Sequence, residues 1–132
     1  MKKVLFLGAL AFTITSCGKK ETSKEEKNLY PEKEVSAEEQ QVIDGKELFT
    51  SNRAACASCH LVDKKTVGPS IQDIVKIYKE KDGDIYAFLR EKAAPIVDPA
   101  QYGVMKTNFA VLKTFSDEEI RSLEAYMKSE LK

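Results

Sequence analysis

The sequence predicts an all-α domain. Two capping boxes, Ser36-Ala37-Glu38-Glu39 and Ser116-Asp117-Glu118-Glu119, each open an amphipathic run. Between them apolar residues recur at helical spacing, and no stretch shows the sustained alternation of a half-buried strand. In the first box the Ser36 hydroxyl can accept from the Glu39 amide while Glu39 reaches back, which predicts a helix to about Ser51 with Val42, Gly45, Leu48 and Phe49 on one stripe. Ser70 to Lys79 carries Ile71, Ile74, Val75 and Tyr78 at helical spacing. Asp84 can cap a shorter helix bearing Ile85, Phe88 and Leu89, which should stop before Pro95. The second box opens a terminal helix whose apolar face is Ile120, Leu123, Tyr126, Met127 and Leu131.

The N-terminal part reads differently. Lys2 and Lys3 precede an eleven-residue apolar run, Val4 to Ile14, which makes residues 1–16 a secretory leader. The run is too short to span a bilayer, for which about 20 apolar residues are needed. Ile14-Thr15-Ser16-Cys17-Gly18 resembles a bacterial lipoprotein signal, with Cys17 as the lipidated N-terminus and Ile14 and Ser16 as departures from its usual Leu and Gly or Ala. An ordinary cleavable leader with a stray cysteine is the alternative. Residues 17–35 then form a charged tether, mostly Lys and Glu, too poor in apolar residues to fold. Its flexible reach is roughly 20–25 Å. The domain proper is expected at residues 36–132.

Charge excludes one class of partner. The whole chain has 21 Lys plus Arg and 21 Asp plus Glu, and loss of Lys2 and Lys3 with the leader leaves 19 against 21. Without a basic field, nucleic-acid binding is not expected.

The chemistry is concentrated in Cys56-Ala57-Ser58-Cys59-His60, the C-x-x-C-H signature of c-type haem attachment. Two thiols one turn apart can add to the two vinyl groups of a porphyrin, and the adjacent imidazole of His60 can ligate the iron. A structural zinc site would need four Cys or His ligands, but His60 is the only histidine and Cys17 lies at the leader. A redox dithiol leaves the histidine unexplained.

A second axial donor is sought among methionines. Met1 leaves with the leader, and Met127 sits on a helix face where methionine is usually core filler. Met105 is expected on an irregular segment beside Tyr102, Gly103 and Asn108, where a loop can fold over the cofactor, so Met105 is preferred; an open or Lys-ligated iron is the alternative. Tyr78 and Tyr102 can hydrogen-bond a haem propionate, although buried tyrosines usually find a backbone partner. Lys64, Lys65 and Lys106 can ring an exposed haem edge, but ordinary solvated charges are the favoured reading.

Over about residues 37–132 the pattern resembles the small monohaem cytochromes c of the mitochondrial-type class. Gly45 and Phe49 look like the Gly-x-x-x-Phe of that family's first helix, and Leu123-x-x-Tyr126 like the terminal-helix partner that crosses it. Gly68-Pro69 resembles the turn whose Pro carbonyl orients the ligating imidazole, and Met105 stands where the family places its methionine ligand, followed here by Lys106 instead of the frequent Pro. The resemblance implies about four helices wrapped around one covalent haem c. Haem binding would fall to Cys56 and Cys59, axial ligation to His60 and Met105, and imidazole orientation to Pro69.

The resulting expectation is a monomeric, exported lipoprotein facing the periplasm or cell exterior. It would carry single electrons between a redox donor and acceptor, both membrane complexes. No acid, base or nucleophile cluster accompanies the motif, so no catalytic residue is expected. A haem-based gas sensor with a displaceable or absent sixth ligand is the rival, and an electron-entry subunit of a larger oxidase or reductase is another.

Overall fold

The computed structural model describes residues 34–131, in which six α-helices and two short 3₁₀ turns enclose one core and no strand occurs among the described residues. The leader, Cys17 and most of the tether lie outside the described residues. No helix among the described residues is long and apolar enough to cross a membrane.

Helix α1 (Ala37–Thr50) begins at the expected capping box: Glu39 N donates to Ser36 Oγ at 3.1 Å and Ser36 N to Glu39 Oε2 at 3.0 Å. Helix α6 (Asp117–Ser129) begins with the same reciprocal pair between Ser116 and Glu119. These two helices make the main helix–helix contact of the domain. Gly45 permits it, because a Cβ there would run into the backbone of Ser122 and lie 2.8 Å from Tyr126 Cβ. Beside the crossing, the rings of Phe49 and Tyr126 pack 5.2 Å apart at a tilt.

Ser70 caps α2 (Ile71–Glu80) through Asp73 N, and Asp84 caps α3 (Ile85–Leu89) through Ala87 N. Both bury the apolar faces expected of them, led by Ile71, Val75, Ile85 and Leu89. Arg90, just past α3, reaches Leu112 O at 3.3 Å, Phe115 O at 3.0 Å and Asp117 Oδ1 at 2.8 Å, tying α3 to the start of α6.

The segment between α3 and α6 departs from expectation. A 3₁₀ turn (Pro99–Gln101), capped by Asp98, runs directly into α4 (Tyr102–Lys106), and α5 (Phe109–Leu112) follows. The domain therefore has two more short α-helices than the four expected, and Met105 lies on a helix and not in an irregular loop. Neither α4 nor α5 has a side-chain cap, and each is about one turn long, so packing and not local propensity holds them. The rings of Tyr102 and Phe109 lie 6.0 Å apart, with Phe88 5.5 Å from Phe109.

Candidate functional site

Ala55 adopts the left-handed backbone (φ 53°), a conformation costing a non-glycine residue roughly 1–2 kcal/mol. It turns the chain out of α1 into the 3₁₀ turn at Cys56–Ser58. Cys59 N and His60 N both donate to Cys56 O, at 3.1 and 3.0 Å, so one tight turn gathers Cys56, Cys59 and His60. The two cysteines are not bridged to each other. Burial pushes the Cys56 thiol up to about 11, with a backbone hydrogen bond opposing and the neighbouring Cys59 adding to the rise. A neutral, partly buried thiol is the reverse of the activated thiolate that a redox dithiol needs. Among the described residues no group of three or more Cys, His, Asp or Glu is placed to hold a metal ion.

The loop after the motif is pinned back onto it. Thr66 Oγ1 donates to Cys59 O at 2.6 Å and Gly68 N to the same carbonyl at 2.9 Å. His60 Nδ1 lies 2.8 Å from Pro69 O. A carbonyl only accepts, so Nδ1 carries a proton; in the neutral imidazole this leaves the lone pair on Nε2, the tautomer a metal-ligating imidazole requires. Gly68 lies flat against the ring, leaving no room for a side chain there.

Cys56, Cys59, His60, Pro69 and Met105 all line one cavity of about 330 Å³. Pockets for small molecules and cofactors begin near this size, about 300–1,000 Å³. Met105 is half-buried and packs on the core; Met127, 7% exposed, lines the cavity too, so both remaining thioethers border it. Val67 and Val104 line the cavity and are exposed, one from the histidine loop and one beside Met105, so its mouth has an apolar rim. Lys64, Lys65 and Lys106 do not line it, and Lys65 stands 3.7 Å from Asp98.

One feature of the cavity was visible in the sequence only as a core position. Tyr78 lines the cavity, and its buried hydroxyl has no hydrogen-bond partner among the described residues. Burial, with the charge of Asp84 adding to it, pushes this phenol up to about 12. Tyr102 lines the same space. An apolar cavity with two thiols, an imidazole held through Nδ1, thioethers and an unsatisfied donor fits a covalently attached porphyrin with carboxylate substituents.

The family model described as Cytochrome c matches residues 42–130, from within α1 to just past the end of α6. Among curated proteins, none matches the chain. The match covers most of α1, all of α6 and every residue that lines the cavity, and family membership implies covalently bound haem c. The chain belongs to the cytochrome c family and is a haem-based electron-transfer protein with a small all-α cytochrome c fold.

Proposed function

We propose that this chain is a monohaem carrier of the mitochondrial-type class, exported and lipid-anchored at Cys17. In this reading it passes single electrons between membrane-associated redox complexes and is not itself an enzyme. The observation that carries the proposal is the convergence of Cys56, Cys59, His60 and Met105 on one apolar cavity, with His60 Nδ1 committed to Pro69 O.

Bound haem supplies a reversible one-electron iron couple. The chain's residues set its conditions. Cys56 and Cys59 hold the porphyrin by thioether bonds, and His60 offers Nε2 to the iron while Pro69 O fixes the ring's orientation and tautomer. Met105 offers a soft sulfur that favours ferrous iron. The lining is largely apolar, and the exposed Val67 and Val104 would give a docked partner an apolar approach to the bound group. A lipid on Cys17 confines the domain near such partners within the reach of the tether; stable anchoring takes more than one acyl chain.

Denaturing electrophoresis with haem-peroxidase staining tests the cofactor: the colour should migrate with the protein, and Cys59→Ala should lower haem retention. Colour at the dye front sinks the proposal. Mass spectrometry of the membrane fraction should find acyl mass on a peptide beginning at Cys17. A Cys17→Ala protein still held firmly in the membrane would remove the anchor and leave the carrier.

A further inference from the structure

Val35, Glu38, Glu39, Val42 and Ile43 line one shallow groove on the outside of α1. Val35 and Ile43 are 48% and 49% exposed, whereas the residues this helix buries are Gly45 and Phe49. Apolar residues scattered singly over a surface are ordinary, but three that share one groove form a contiguous patch, the pattern of a contact surface. The helix itself does not need them. A residue before the N-cap can staple a helix by packing on the fourth helical residue, but that position holds Gln40, which donates to Asp44 instead. Ile43 is a poorer helix former than the Glu and Lys around it and gains little burial in return.

Charge decides what can cover the groove. Glu38 and Glu39 stand on its wall, Glu34 precedes Val35, and α1 holds four acidic residues against the single Lys46. A second copy of this chain seated groove to groove, or an anionic lipid surface, would set like charge against like. A basic partner meets opposite charge. From Val35 to Ile43 the patch runs about 12 Å, roughly two helical turns, the span over which a helix presents anchors at i, i+3, i+4 and i+7. We propose that this groove docks a basic amphipathic helix of a protein partner, its apolar anchors on Val35, Val42 and Ile43 and its Lys or Arg beside Glu38 and Glu39. No residue of the groove lines the haem cavity, so a partner seated here does not compete for Val67 and Val104 at the cavity's mouth. It would hold the domain beside a redox complex between successive electron transfers. The site needs neither a lipid on Cys17 nor ligation by Met105.

The test uses the ferrous holoprotein carrying Cys17→Ala, which cannot be lipidated there, and follows its methyl groups by NMR as a synthetic Leu/Lys helix is added. With leucines at i, i+3, i+4 and i+7 the peptide should shift the signals of Val35, Val42 and Ile43 and leave those of Val67 and Val104 in place. Ile43→Ser should weaken binding about tenfold, the loss of one buried aliphatic anchor. The haem spectrum should not change, because Ile43 lies outside the core. Glu38→Lys, at an exposed position, should weaken binding too, and so should Glu in place of Lys in the peptide. Absence of any shift, equal binding of the Glu peptide, indifference to both substitutions, or shifts centred on Val67 and Val104 overturns the proposal. So does a groove already covered in the protein alone, seen as concentration-dependent shifts of Ile43 or as contacts of its methyls with another segment of the same chain. Equal shifts of the groove signals on anionic vesicles overturn it as well.

Discussion

Gly68 and His60 meet across the space a side chain would need: a Cβ on Gly68 would lie 2.7 Å from His60 Nδ1 and 2.9 Å from Nε2. The turn that presents Pro69 O to the imidazole is thus also the wall that keeps the ring flat.

Gly68→Ala should therefore tilt the imidazole and weaken the Nδ1–Pro69 bond without touching the thiols. Haem staining should persist, the ferric electron paramagnetic resonance signal should change, and stability should fall by about 1–3 kcal/mol, as for other overpacking changes. An unchanged spectrum and unchanged melting would show that the ring has slack the structure does not reveal.

Met105 and Met127 both border the cavity, so substitution separates them. Met105→Ala should lose the weak far-red sulfur-to-iron absorption of the oxidised protein, bind CO when reduced and show a lower potential. Met127→Leu should keep the band and cost less than about 1.5 kcal/mol. The reverse pattern moves the ligand to Met127. If the wild-type protein already binds CO readily, the sensor reading displaces the carrier.

Gly45→Ala tests the helix crossing. Alanine gains about 1 kcal/mol over glycine in helix propensity, but its methyl would strike the Ser122 backbone, which cannot rotate aside. An overpacking cost of about 3 kcal/mol outweighs that gain. A net loss of about 2 kcal/mol should lower the melting temperature by about 8–16 °C in a domain of this size. A rise in melting temperature would mean the helices can separate freely.

Asp117 gives the acid limb a specific origin. Its carboxyl accepts from Tyr86 Oη and from Arg90 Nη2, both at 2.8 Å, and these partners, the tyrosine hydrogen bond first, hold it below its ordinary value of 3.8. A pKa lowered on folding contributes stability that is present above the unfolded value and lost as pH falls through the folded one, because in that window the unfolded chain binds more protons. Asp117→Asn should flatten the dependence of stability on pH below the unfolded value, as read by denaturant titration at several acidic pH values. An unaltered acid slope would show that other carboxylates dominate.

The capped helices were legible because their signals are local: Ser36 with Glu39, Ser116 with Glu119 and Asp84 with Ala87 each sit within one turn. The thiols and imidazole were legible because attachment chemistry fixes their spacing. The helical character of Tyr102–Leu112 was not. Gly103 and the lack of any cap argue locally for a loop, and only packing of Tyr102, Phe109 and Phe88 turns the segment helical. Tyr78 was readable as an apolar-face residue and as one candidate propionate donor. That its hydroxyl finds no hydrogen-bond partner among the described residues is a property of folded space.

The pairing of α1 with α6 imposes an order of events on the chain. Its two halves are the first and last helices of the domain, so the crossing cannot form until the final helix has been made and set free. Until then the cavity lacks the Met127 side of its wall, and Cys56 and Cys59 stand on an open strand of polypeptide. Thiols that are partly sheltered in the finished domain are more accessible during that interval.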